Sequence, residues 1–210
     1  MTGYNLVNLA ELIDAIGEER TQTILSSYYC ELNRDVEDFL KHKAIEFARQ
    51  GIAATYLVFT SYRDKPVLCG YFALASKVLT IPKKSISKRL AKRISKFGQR
   101  NTDTKSFTIT APLIAQLGKN FAERYNELIT GDELLKMACE KILKIQIQLS
   151  GRVTYIECVD EPKLIEFYES NGFNRVADRY LNAGEKGVSD PDYYVQLIRY
   201  LKPEDFNREW

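Results

Sequence analysis

Histidine is almost missing from these 210 residues: His42 is the only one, inside the run DVEDFLKHKAIEF. Any Ser-His or Cys-His nucleophile pair would have to use it, which removes much of hydrolase chemistry. Four cysteines, Cys30, Cys69, Cys139 and Cys158, form no CxxC pair. With one histidine they make no zinc set, so no metal site is expected and the thiols read as free and structural. No apolar run approaches the roughly 20 residues of a membrane helix. Acidic residues stand in MTGYNLVNLAELIDAIGEER where a secretion signal carries its apolar stretch, so the expected location is the cytoplasm, with no membrane partner. Repeats and low-complexity linkers are also lacking, and the chain reads as a single domain over 1–210 that can bury one sizeable core.

What is present is ordinary in amount and uneven in placement. Hydrophobic residues make up 45% and charged residues 28%, as in globular proteins and not in disordered ones. Net charge is +2, yet ten basic residues and no acid lie between Lys65 and Thr102, which leaves −8 on the rest. The positive charge is therefore a local feature. Within it Ile86, Leu90, Ile94 and Phe97 recur at helical spacing, so 83–97 is expected to form an amphipathic cationic helix, the core of a basic insertion at about 80–105.

The first fifty residues read as helices. RDVEDFLKHKAIEFARQG places Val36, Phe39, Leu40, Ile45 and Phe47 on one broad face before Gly51. ATYLVFTSY, RDKP and VLCGYFALASKVL read as a hairpin with a short polar turn. GQRNTDTKS is polar and turn-like, and SFTITAPLIAQLGKNF is a long strand that Pro112 should interrupt. ELLKMACEKILKIQIQL is a helix, RVTYIECV a strand, EPKLIEFYESNG a helix with Pro162 in its first turn, and DYYVQLIRYL a strand. Helix alternating with strand in the second half implies a partly parallel sheet.

This order, and YIECVDEPKLIEFYESNGF above all, resembles the GNAT acetyltransferase superfamily over most of residues 28–200. Tyr168, Gly172 and Phe173 match the family's Tyr-x-x-x-Gly-Phe ending. YYCELNRDVEDFLKHKA followed by ATYLVF also resembles the N-terminal part of GNAT toxins that acetylate aminoacyl-tRNA. The resemblance implies an α/β fold: a mixed, mostly antiparallel central sheet flanked by helices, splayed between the strand before residue 120 and the strand at 152–159. It also implies acetyl-CoA as co-substrate, an amine acceptor, and direct transfer in a ternary complex.

The family binds the coenzyme pyrophosphate at a Gln/Arg-x-x-Gly-x-Gly/Ala loop before a helix, where free N–H groups and the helix dipole favour an anion. The matching stretch is Asn126-Glu127-Leu128-Ile129-Thr130-Gly131, in which only the last glycine is kept. Leu128, Ile129, Thr130, Gly131 and Asp132 are the candidate pyrophosphate residues. Ile129 stands where the family has glycine and resists positive φ, so the loop should take another path. Thr130 and Glu133 also form a capping box, which alone explains a helix start. By the same resemblance the backbone of Ala115, Gln116 and Leu117 holds the pantetheine arm and polarises the thioester carbonyl. Tyr168 is the candidate general acid for the departing thiolate; a packing role for its ring beside Leu164 and Ile165 is the alternative. Glu157 and Asp160 are candidate bases by position only.

The basic segment carries two readings, a solvated helix face or a phosphate-binding surface that contacts RNA through residues 83–100. Beside the acetyltransferase reading stands that of a nucleic-acid-associated GNAT-like protein, either a tRNA-acetylating toxin or a binding module without turnover.

Overall fold

The structure is a computed structural model, described here for residues 3–181 and 191–205. Among the described residues eight strands, β1 (Asn5–Asn8), β2 (Ala54–Tyr62), β3 (Lys65–Pro82), β4 (Gln99–Asn101), β5 (Ser106–Lys119), β6 (Val153–Cys158), β7 (Asn174–Tyr180) and β8 (Tyr193–Tyr200), form one sheet. Its order is β1-β2-β3-β5-β6-β8-β7, with β4 pairing β5. The pairs β1/β2, β2/β3, β4/β5, β6/β8 and β7/β8 are all antiparallel. Two compact units divide the chain, residues 1–75 with 114–139 and residues 76–113 with 140–210. The long strands β3 (Lys65–Pro82) and β5 (Ser106–Lys119) contribute to both.

The first unit begins with a strand where a helix was expected. β1 (Asn5–Asn8) pairs with β2 (Ala54–Tyr62), and Asn8 then caps α1 (Leu9–Ile16) by accepting from the Ala10 N–H at 2.8 Å. After α2 (Glu18–Ser26) the expected helix over 34–49 forms in three pieces: α3 (Arg34–Asp38), a π-turn at Phe39–Lys43 and α4 (Ala44–Arg49). The π-turn inserts a residue, so Val36 before it, Phe39 and Leu40 within it, and Ala44 and Ile45 after it all reach the core. His42 lies in that turn and is exposed, as its helix-face reading required.

The β2/β3 turn is tighter than expected. Only Arg63 and Asp64 form it, both at positive φ (51° and 58°), and Lys65 and Pro66 already pair with Tyr62 and Ser61. Further along, Val58 pairs with Gly70 and Phe59 with Leu68, which leaves Cys69 as the extra residue of a bulge. The core of this unit gathers Leu9, Leu25, Tyr28, Leu40, Leu57 and Tyr71. Tyr71 meets the Tyr28 ring edge-on at 5.2 Å and donates its hydroxyl to the Val36 carbonyl at 2.5 Å.

In the second unit the basic segment departs from the expected long helix. A 3₁₀ turn at Lys83–Ser85 precedes α5, which covers only Lys88–Ile94 with Ser87 as N-cap, and the chain then returns as β4. Ile94 is fully buried with Leu79, Ile81, Phe107, Ile109, Val153, Tyr155, Val176 and Ile198, and Ile86 and Leu90 pack on them. Pro112 does not interrupt β5, and its carbonyl accepts from the Thr154 hydroxyl at 3.0 Å. β6 (Val153–Cys158), α7 (Pro162–Ser170) and β8 (Tyr193–Tyr200) form as expected. β7 (Asn174–Tyr180), not anticipated, completes the edge beyond β8. The helix α6 (Gly131–Leu149) runs through both units, and Gln146 near its end donates to the Val153 carbonyl at 2.8 Å. All four cysteines are buried, and none forms a disulfide among the described residues. Among the described residues no helix is long and apolar enough to cross a membrane.

Candidate active site

Ala115, Gln116 and Leu117 lie half-buried in the last third of β5, in the first unit. The Gln116 amide donates to Asp35 at 3.2 Å, so its side chain is tied to α3. The strand is drawn close to β3 at Gly70, where a Cβ would stand 3.0 Å from the Gly118 carbonyl and 3.3 Å from the Leu134 side chain. Only glycine allows Leu134, in the first turn of α6, to settle over the sheet there. One missing side chain therefore brings the end of β5 and the start of α6 together.

Asn120, 1% exposed, fixes the chain between them. Its side-chain oxygen accepts from the N–H groups of Tyr29 (3.0 Å) and Ala122 (3.1 Å), and its amide nitrogen donates to the Leu68 carbonyl (2.8 Å). Its own N–H donates to the Cys69 carbonyl at 2.9 Å, so one residue engages the β3 bulge twice. The loop then passes through Glu123 and Arg124 at positive φ (49° and 62°) and is held by Lys119, whose ammonium donates to the Asn126 carbonyl at 3.1 Å. Neither Asn120 nor Lys119 was singled out from sequence. A polar residue closing a long apolar strand was the available signal for Asn120.

Ile129 is extended (φ −146°, ψ 140°) and 2% exposed. The different path expected for this loop is thus a buried apolar plug in place of a turn around phosphate. The capping box forms: Glu133 accepts from the Thr130 N–H at 2.8 Å and from its hydroxyl at 2.8 Å, and the Glu133 N–H donates to the Thr130 hydroxyl at 3.1 Å. Burial works against the Glu133 carboxylate, but these two donors and Tyr4 hold its pKa below the usual range. Tyr4 donates to the Leu128 carbonyl at 3.0 Å, and its pKa is pushed up to about 12 by burial first and the Glu133 charge second. Leu128, Ile129, Thr130, Gly131 and Asp132 therefore form a braced start to a 19-residue helix. Asp132 and Glu133 already place two carboxyls in its first turn, which weakens its attraction for an added anion. Lys119 brings a cation back to the same loop.

Tyr168 belongs to the second unit. It is 8% exposed, and its ring meets Phe167 at 5.0 Å and Phe173 at 5.8 Å, both edge-on. The Phe173 N–H donates to the Tyr168 carbonyl at 3.1 Å, closing the turn of the Tyr-x-x-x-Gly-Phe pattern. Ring packing accounts for the side chain, and its hydroxyl is not among the fully buried groups left without a partner, which include the hydroxyls of Tyr28, Thr55 and Thr60. Burial, with the Cys158 thiol as a lesser cause, pushes the phenol well above its ordinary pKa. It is a proton donor throughout the neutral range. The two candidate bases are engaged elsewhere. Glu157 accepts from Arg179 at 3.0 Å and Gln196 at 2.7 Å. Asp160 is held below the usual carboxylate range by the Tyr193 hydroxyl and by Arg175, which makes it a weak base.

No protein-family profile matches this sequence, and no curated protein matches it. Solved structures do. A bacterial toxin is 16% identical with a TM-score of 0.61, over 95% of this chain and 92% of that one. AtaT complexed with acetyl-methionyl-tRNAfMet is 12% identical with a TM-score of 0.60, over 92% and 94%. AtaTR bound with acetyl-CoA is 14% identical with a TM-score of 0.55, over 94% and 92%. The chain shares their fold, the mixed, mostly antiparallel sheet flanked by helices that the GNAT resemblance implied.

Proposed function

We propose that this chain transfers an acetyl group from acetyl-CoA to an amine by direct attack in a ternary complex. The observation that carries the reading is Tyr168: a buried, protonated phenol at the family's Tyr-x-x-x-Gly-Phe turn. In the reaction the amine nitrogen bonds to the thioester carbonyl carbon, the carbon–sulfur bond breaks, and the coenzyme leaves as a thiolate. Tyr168 donates a hydrogen bond to that sulfur. A thiol near pKa ~8.5 is a stronger acid than this phenol, so net protonation is completed from solvent as the thiol departs. The proton lost by the amine goes to water, since Glu157 and Asp160 are both committed. Main-chain groups of Ala115, Gln116 and Leu117 polarise the carbonyl, and the loop from Leu128 to Asp132 takes the pyrophosphate with Lys119 beside it.

Calorimetry and thermal melting with acetyl-CoA test this reading. A ligand at 100 times its Kd adds about 2.7 kcal/mol to the folded state, a clear rise in melting temperature. An unmoved transition at millimolar acetyl-CoA, with no heat of binding, contradicts it.

A second reading, transfer to the amine of an aminoacyl-tRNA, is favoured by the basic segment. Lys83, Lys84, Lys88, Arg89, Lys92, Lys96 and Arg100 are all exposed, and a neighbour in fold was solved with acetyl-methionyl-tRNAfMet. Residues 83–100 would then contact the RNA backbone.

A further inference from the structure

In the second unit Arg89 and Arg93 of α5, Lys202 just after β8, and the polar side chains of Ser87, Asn174 and Tyr200 line a cavity of about 240 Å³. Three cations face it and, among the described residues, no carboxylate does. Glu204 and Asp205 follow Lys202 in a short 3₁₀ turn but do not line it. Elsewhere in this unit arginines have found acids: Arg175 pairs with Asp160 and Asp178, and Arg179 with Glu157. Cations gathered around a concavity without a counter-charge repel one another, and an anion relieves that cost.

The cavity is also ordered before any anion enters. The Arg93 guanidinium lies over the Tyr200 ring, 4.9 Å from its centre, which fixes the planar fork while leaving its edge donors available. Leu90 and Ile198 give the floor an apolar part. The volume is below the ~300–1,000 Å³ of pockets that engulf drug-sized ligands, so it suits one anionic group of a larger molecule or a small anion. A second cavity of similar size, at the turn between β4 and β5, gathers Lys83, Arg100 and Lys105, again with no carboxylate among the described residues of its wall.

We propose that the Arg89, Arg93 and Lys202 cleft is a phosphate-binding site that takes a phosphate group from a nucleotide or from the phosphodiester chain of a nucleic acid. Two guanidiniums and an ammonium around one small space match the several oxygens of a phosphate better than the two of a carboxylate. The proposal rests on the nucleic-acid reading only for the source of the phosphate, and it is independent of where the coenzyme binds.

The test titrates the full chain and its Arg89→Gln/Lys202→Gln variant with inorganic phosphate, pyrophosphate, AMP and a labelled single-stranded RNA oligonucleotide, from low to physiological salt. Arg93→Lys serves as a second variant that keeps charge and loses the fork. Wild type binds at least one probe, and the double variant binds it about tenfold or more weakly with melting temperature and acetyl-CoA affinity unchanged. Binding of AMP or inorganic phosphate assigns the source to small phosphates. Binding of RNA alone assigns it to the phosphodiester chain, with the log–log salt slope falling by about 1.4 for two lost contacts. No probe bound by wild type at low salt, or equal binding by wild type and the double variant, overturns the site.

Discussion

Replacing Asn120 should cost more stability than any surface polar residue of the first unit, because three of its hydrogen bonds are made by a side chain that is 1% exposed. Each such bond contributes about 1 kcal/mol net, so Asn120→Ala should lose about 3 kcal/mol from the bonds alone. The buried Leu68 carbonyl is then left unpaired, and the Tyr29 N–H loses its partner in a partly covered place, which carries the total toward about 5 kcal/mol. With a urea slope near ~2 kcal/mol/M the midpoint should fall by roughly 1.5–2.5 M. Asn120→Leu separates causes: it restores volume and restores no hydrogen bond, so it should be nearly as unstable as alanine. Urea unfolding followed by tyrosine fluorescence and far-ultraviolet circular dichroism reads all three proteins. A leucine variant at wild-type stability, or an alanine variant within about 1 kcal/mol of it, would refute the hydrogen-bond account of how the end of β5 is held.

Gly131→Glu should weaken acetyl-CoA binding at least about tenfold by calorimetry, because it adds a third carboxyl to a first turn that already holds Asp132 and Glu133. Gly118→Ala should destabilise the chain by about 1–3 kcal/mol in urea, since the new methyl would stand 2.5 Å from both the Tyr28 hydroxyl and a Val36 methyl. Glu37 has its pKa lowered by the Cys30 N–H first and by Lys41 next. A lowered folded-state pKa gives stability that is present above the usual carboxylate pKa of ~4.3 and lost as pH falls through the folded value. The stability gap between wild type and Glu37→Gln should therefore narrow between about pH 5 and pH 3.

How much could be read beforehand differed along the chain for physical reasons. α6 and α7 were legible because each carries its apolar stripe, its start signal and its stop: Thr130 with Glu133 for one, Pro162 and Asn171-Gly172 for the other. The edge strands were not. β1 has four residues and runs straight into a helical stripe, and β7, NRVADRY, buries only Val176 while pairing does the rest. The basic helix was overextended because Ile86, Leu90, Ile94 and Phe97 keep helical spacing through the Ser87 cap and up to Gly98, yet only 88–94 winds. At the site, the capping box and the glycine replacement at Ile129 were both visible in sequence. That Ile129 would be a buried plug, and that Tyr4 would brace the loop from 124 positions away, depend on tertiary contacts with no local pattern.

The central claim is that Tyr168 serves the departing thiolate of acetyl-CoA. The direct measurement is thiol release from acetyl-CoA, by wild type and Tyr168→Phe, with a panel of amines and aminoacyl-tRNAs. Phenylalanine keeps the ring against Phe167 and Phe173 and removes only the hydroxyl. Melting temperature and acetyl-CoA affinity should hold, while turnover falls by roughly 10²–10⁴-fold. Equal rates in the two proteins would contradict the account and return Tyr168 to the core.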